Sequence, residues 1–220
     1  MEEFDIAGGA MVMTEELLIP PSCLPNLQKL SWATYVLDKN RPVESRPLLD
    51  DGCFPVLESL HAGVLKDDTL KILKSPYFLP HHLKTAAAVI RENNPDLVRQ
   101  YIEIVAPDGI ELKLETLLLS PRDIGIDFAT ISKVMTMQHL KRLKIIASSI
   151  LLSDQHMAQL LSGLPLLEKL QLQGLSHESL TQQGRPALLT VQHLIEYCPL
   201  LERADILLDA GGVPTLPILL

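Results

Sequence analysis

Aromatic side chains are scarce, making up 4% of the 220 residues with a single tryptophan. A core without large rings must be filled by leucine and other aliphatics, which suits thin stacked layers better than one thick globular interior. Long apolar runs are also missing. No stretch approaches the ~18–20 apolar residues that span a bilayer, and Ile145 to Leu152 is interrupted by Ser148 and Ser149. No membrane association is therefore expected. The opening Met1-Glu2-Glu3-Phe4-Asp5 is acidic where a secretory leader would be basic, and no Asn-x-Ser/Thr acceptor occurs anywhere. The expected location is intracellular, in the cytoplasm or the nucleus.

Positive charge is in deficit as well. The formal net charge is −8, with a pI near 5.3. Nucleic-acid binding by counterion release needs a basic face, so no nucleic-acid partner is expected. Cysteine occurs three times, at Cys23, Cys53 and Cys198, odd in number and widely spaced. That pattern is neither a disulfide framework nor a zinc motif, and each thiol is expected to be a small buried residue.

The arrangements that carry catalysis are missing too. Gly8-Gly9 and Gly211-Gly212 belong to neither kind of phosphate-binding loop. His81-His82 has no thiol or carboxylate at ligand spacing and is expected on the surface. Ser153, Asp154 and His156 lack a nucleophile elbow and are expected to form a helix cap with its neighbours. Asp50-Asp51 and Asp67-Asp68 fit a solvated turn and a helix start better than an acid–base pair. We expect no enzymatic activity, no cofactor and no metal.

What the chain does have is a recurring apolar pattern, clearest in Leu164-Pro165-Leu166-Leu167-Glu168-Lys169-Leu170-Gln171-Leu172. From Leu167 it runs Leu-x-x-Leu-x-Leu, apolar at i, i+3 and i+5 with polar residues between, as a half-buried strand alternates. The leading leucines are Leu27, Leu57, Leu83, Leu114, Leu140, Leu167 and Leu201, at steps of 30, 26, 31, 26, 27 and 34 residues. That period holds one strand, one helix and two connections, the sign of a solenoid. The copy at Leu83 is the weakest, because alanine fills its apolar slots and would also allow a helix.

Helical segments are expected between the strands. Thr14 to Ile19 could form a helical turn, and Asp67 to Lys74 a short helix. Asn94-Pro95 reads as an N-cap with proline at the first helical position, followed by Leu97, Val98, Tyr101, Ile102 and Val105 at helical spacing and a turn at Pro107-Asp108-Gly109. Asp127 to Met137 should bury Phe128, Ile131, Val134 and Met135. Ser153 should cap a helix with Met157, Leu160 and Leu161 inside and Gly163 at its end; Thr190 should cap another with Val191, Leu194 and Ile195 on one face. Asp38 to Asp51 and Ser176 to Pro186 read as loops. The organisation expected is an irregular segment 1–13, about seven repeats over 14–210, and an irregular tail 211–220.

The form Leu-Pro-x-Leu-x-x-Leu after a helix resembles the leucine-rich repeats of the ribonuclease-inhibitor-like class. More narrowly, Glu196-Tyr197-Cys198-Pro199-Leu200-Leu201-Glu202 and Asp205-Ile206-Leu207-Leu208-Asp209-Ala210 look like the C-terminal repeats of fungal F-box proteins. The resemblance implies an α/β fold: a right-handed leucine-rich-repeat solenoid, a horseshoe arc with parallel strands on the concave face and helices on the convex face. It also implies a protein–protein interaction scaffold, like the substrate-recognition repeats of an F-box subunit of a cullin-type ubiquitin ligase. Nothing before Thr14 matches an F-box, so a Skp-type adaptor is implied only if the full-length protein carries one. The regular asparagine of standard leucine-rich repeats is absent. Two other readings stay open: an α/β globular enzyme, and a truncated, non-functional gene product.

In such strands the side chains at i+2 and i+4 face outward. Four cations, Arg142, Lys144, Lys169 and Arg203, then cluster on three neighbouring strands, beside Gln171. With strands ~4.8 Å apart, these charges act together on an anion. The expected partner is a protein substrate that is acidic or phosphorylated. Inward-facing Trp32 is expected in the core.

Overall fold

The computed structural model describes residues 2–6, 25–32, 54–65, 67, 70, 73–74, 81–109, 113–175, 186–187 and 189–208. The strands are β1 (Glu2–Ile6), β2 (Leu27–Trp32), β3 (Ser59–Leu65), β4 (Thr85–Ile90), β5 (Thr116–Pro121), β6 (Gly125–Asp127), β7 (Arg142–Ala147), β8 (Ser149–Leu151), β9 (Lys169–Gly174) and β10 (Arg203–Ile206). The helices are α1 (Pro95–Val105), α2 (Phe128–Ile131), α3 (Asp154–Ser162) and α4 (Leu189–Tyr197), with a 3-10 segment at Ser132–Thr136. The fold is mixed α/β. Eight strands form one sheet in the order β1-β2-β3-β4-β5-β7-β9-β10, every pairing parallel. β6 and β8 make a separate parallel pair. Parallel neighbours need a crossover of a dozen or more residues, and the spacing of the leading leucines supplies it.

The sheet is built from one recurring local unit. A tight turn precedes the strand: the N–H of Leu57, Leu140, Leu167 and Leu201 donates to the carbonyl of Phe54, Met137, Leu164 and Cys198 at 3.2, 2.9, 3.2 and 3.0 Å respectively. In three of these turns the residue after the acceptor is a proline, Pro55, Pro165 or Pro199, whose fixed φ suits that position. The carbonyl after the leading leucine then accepts two consecutive N–H groups of the next strand. Glu58 accepts from Lys84 and Thr85 at 2.8 and 2.9 Å, and Lys84, Glu115, Lys141 and Glu168 repeat the arrangement on the neighbours that follow.

The apolar positions fill the interior. Leu27, Leu57, Leu83, Leu114, Leu140 and Leu167 are buried, as are Leu30, Leu60, Ala86, Leu117, Leu143 and Leu170 at i+3. The copy at Leu83 is a strand, β4, because its alanines are packed between β3 and β5, and tertiary context outweighs helix propensity. The last copy is more open: Leu201 and Ile206 are half-buried and Ala204 is exposed.

The helix caps follow the sequence closely in two places. The Asn94 side chain accepts from the Asp96 N–H at 3.0 Å with Pro95 opening α1, which buries Leu97, Val98, Tyr101, Ile102, Ile104 and Val105. Gly109 takes φ of 78° in the following turn, a conformation that favours glycine. Ser153 and His156 cap α3 reciprocally: the His156 N–H donates to Ser153 Oγ at 3.3 Å and the Ser153 N–H to His156 Nδ1 at 3.4 Å.

Elsewhere the structure departs from expectation. Residues 2–6, within the segment expected to be irregular, form β1, because β2 offers an open edge. The helix expected over Asp127 to Met137 is one α-turn and a 3-10 segment; Asp127 is its N-cap, and Phe128 and Met135 are only half-buried. Gly163 ends α3 with φ of −85°, not in the left-handed region. A Cβ there would lie 2.3 Å from the Met135 carbonyl oxygen, so close approach is what requires glycine. Thr190 lies inside α4 and does not cap it; its hydroxyl donates to Asp154 Oδ1 at 2.5 Å, and the N–H groups of Ala187 and Thr190 donate to the same oxygen. On α4 Leu194 is buried, but Val191 and Ile195 are 38% and 74% exposed, since no further layer covers that face among the described residues.

The expected helix at Thr14 to Ile19, the loop at Asp38 to Asp51, Cys23, Cys53, the Trp32 side chain and the tail 211–220 lie outside the described residues, as does 176–185 of the second loop. Asp67, Leu70 and Leu73 are helical, with both leucines buried. Among the described residues, no helix is long and apolar enough to cross a membrane.

Candidate functional site

The parallel register aligns the i+2 and i+4 side chains into two rows across the solvent-facing side of the sheet. The first row runs Lys29, Ser59, Thr85, Thr116, Arg142, Lys169, Arg203; the second runs Ser31, His61, Ala87, Leu118, Lys144, Gln171, Asp205. Neutral residues fill the middle of the first row. At its end Arg142, Lys169 and Arg203 stand side by side on β7, β9 and β10, all three exposed. Lys144 and Gln171, half-buried, are neighbours in the second row. The five residues expected to bind a partner are therefore brought together. The three cations of the first row span about 10 Å, two strand spacings.

None of the four cations makes an ion pair among the described residues, in contrast to other lysines on the sheet. Lys29 lies 3.5 Å from Glu3, Lys84 2.8 Å from Glu58, and Lys141 3.1 Å from Glu115. Gln171 Nε2 donates to Gln173 Oε1 at 3.3 Å. Asp205, beside Gln171 at the sheet edge, is the acid within these two rows nearest the cluster.

A third column escaped the sequence reading. The residues at i+1, in the double-acceptor turn, are Gln28, Glu58, Lys84, Glu115, Lys141, Glu168 and Glu202. From Glu58 to Glu168 the signs alternate strand by strand. The Lys84 amine is held above its ordinary range first by its hydrogen bond to Glu58, then by the Glu58 charge, with Glu115 adding to it. Alternation of sign at intervals of 26–31 residues is the signal of this column in the sequence.

Other chemistry is quiet. Among the described residues no group of three or more His, Cys, Asp or Glu is placed to hold a metal ion. Cys198 is buried with Sγ 3.6 Å from the Leu164 carbonyl, and burial pushes its thiol up to about 11, so it stays protonated and unreactive at neutral pH. His156 is taken up by its cap and by stacking on Phe128 at 4.8 Å. His81 and His82 are exposed. An apolar cavity of about 20 Å³ lined by Ile150, Leu152, Met157, Leu172 and Ile206 has room for little more than a water molecule.

Compared with known proteins, the chain matches no family model, no curated protein and no solved structure.

Proposed function

We propose that the chain is a non-enzymatic protein-interaction module: a right-handed leucine-rich-repeat solenoid, its parallel strands on a concave face and its helices on the convex one. On that face Arg142, Lys144, Lys169, Gln171 and Arg203 take hold of an acidic or phosphorylated protein segment. The repeat reading is supported by strands that follow chain order across the sheet, with only β6 and β8 set apart, and by a turn and double-acceptor carbonyl that recur from copy to copy. The resemblance to F-box substrate-recognition repeats gives the proposed role, presenting a substrate for ubiquitin transfer. A Skp-type adaptor takes part only if a longer product carries an F-box.

One observation carries the partner class. Like charges directly opposite on neighbouring strands are destabilising, yet Arg142, Lys169 and Arg203 are stacked in register with no ion pair among the described residues. In the i+1 column, by contrast, signs alternate from Glu58 to Glu168 and both Lys84 and Lys141 are ion-paired, so the sheet accommodates charge neutralisation elsewhere. An anionic partner relieves the repulsion, and phosphate or carboxylate pairs well with guanidinium.

Fluorescence polarisation with a glutamate-rich peptide and a phosphoserine peptide tests this, with a lysine-rich peptide as control. Both acidic probes should bind, and Arg142→Glu with Lys169→Glu should weaken them at least about tenfold, the loss shrinking as salt rises. Equal binding by the double variant and the parent chain would reject the site.

A further inference from the structure

Among the described residues the sheet ends at β10, and no strand lies beyond it. Arg203, Ala204 and Asp205 are exposed, so among the described residues this edge presents backbone groups with no strand partner together with side chains of both signs. Among the described residues, five of the seven large exposed apolar side chains gather around the same end: Leu189, Val191 and Ile195 on α4, and Leu200 and Leu207 flanking β10, are 38–74% exposed. An open edge flanked by apolar side chains needs a cover. The charges on β10 specify which.

We propose that two copies of this chain pair through β10 in antiparallel register about a two-fold axis at Ala204. In an antiparallel pair, residues directly opposite share a face. A register that keeps outward side chains with outward ones must therefore pair Arg203 with Arg203, Asp205 with Asp205, or Arg203 with Asp205. The first two oppose like charges. The third sets Arg203 against Asp205 twice, once on each side of the axis, and brings Ala204 against its own counterpart. The axis stands perpendicular to the sheet, so the helix-covered faces of the two copies stay on one side. The exposed leucines, valine and isoleucine of each copy are the apolar area its neighbour covers.

Parallel addition of β1 from another copy is the competing arrangement. β1 places Glu3 in the row of Lys29. Continuing that row from β10 puts Arg203 beside Glu3 once, and the contact repeats without closing. The two-fold pairing has two opposite-charge pairs and closes.

The inference stands on the sheet edge and not on anion capture. Because Arg203 belongs to both, the test reads mass rather than ligand binding. Sedimentation velocity of the full chain over about 1–100 µM should show the mass rising with concentration from the 24.4 kDa protomer towards twice that value, with no larger species. Arg203→Asp and Asp205→Arg should each weaken association at least about tenfold by opposing like charges, and the double exchange should restore it. Ala204→Cys should form disulfide-linked dimers under mild oxidation that the parent chain does not form, because opposed residues lie about 4.5–5.5 Å apart between Cα atoms. A parent chain that is monomeric throughout, a ladder of species larger than the dimer, or a double exchange that stays monomeric would each overturn the proposal.

Discussion

Tyr101 shows how much of the interior rests on single polar contacts. Its ring is fully buried on α1, and its hydroxyl donates to the Ala87 carbonyl on β4 at 3.1 Å, tying helix to sheet beneath the middle of the array. Burial pushes the phenol well above its ordinary range. A raised folded-state value means that the folded chain keeps the proton after the unfolded chain has lost it. The contribution is therefore present below the unfolded value of about 10 and is lost as pH rises above it. Tyr101→Phe should cost about 1 kcal/mol near neutral pH, from the lost hydrogen bond. Above about pH 10 the parent chain should lose up to roughly 1.4 kcal/mol per pH unit relative to the phenylalanine variant, so the two stabilities converge and then cross. Urea unfolding of both proteins at about pH 7, 10 and 11 checks this; a difference that does not change with pH refutes it.

At the scale of one strand and its turn, the i+1 column sets opposite charges on neighbouring strands from Glu58 to Glu168. Each of its exposed pairs is weak alone, but Lys84 sits between Glu58 and Glu115 and interacts with both. Lys84→Glu places three acids on consecutive strands, so it should lower the melting temperature, by more in dilute buffer than in about 1 M salt, where the screening length falls to ~3 Å. A decrease independent of salt would mean that packing, not charge, is responsible. This column also marks how far the sequence could be read. The strands led by Leu27 through Leu201 were legible because their apolar spacing is local, and the two outward rows followed from the same spacing; Asn94-Pro95 and Ser153 carried their caps in their own side chains. What was not legible depended on a neighbour. β1 has no period of its own and exists through β2; β6 and β8, three residues each, exist through each other. Gly163 ends α3 as its place in the sequence suggests, but the requirement for glycine comes from the Met135 carbonyl, distant in sequence. Val191 and Ile195 have the spacing of a buried face, but spacing does not reveal whether anything covers it.

Across the whole molecule, the proposed solenoid predicts that stability varies along the sheet. In a quasi-one-dimensional fold each layer is held by the layers on either side, so an end layer with one neighbour opens more readily than a middle one. β7 lies between β5 and β9, and Leu143 and Ile145 are buried; among the described residues β10 has β9 alone, with Ala204 exposed and Ile206 half-buried. Amide hydrogen exchange should therefore be slower in Arg142–Ala147 than in Arg203–Ile206, with β9 between them. Edge pairing would mask the gradient by protecting β10 in the dimer, so the measurement belongs on Arg203→Asp, in which the proposed pairing is disfavoured. On the parent chain, β10 should gain protection as concentration rises while β7 stays constant. Equal exchange in β7 and β10 of the Arg203→Asp chain would mean that the sheet opens as one unit, as a single globular core does. That result would remove the support for the solenoid while leaving the cation row and its binding test intact.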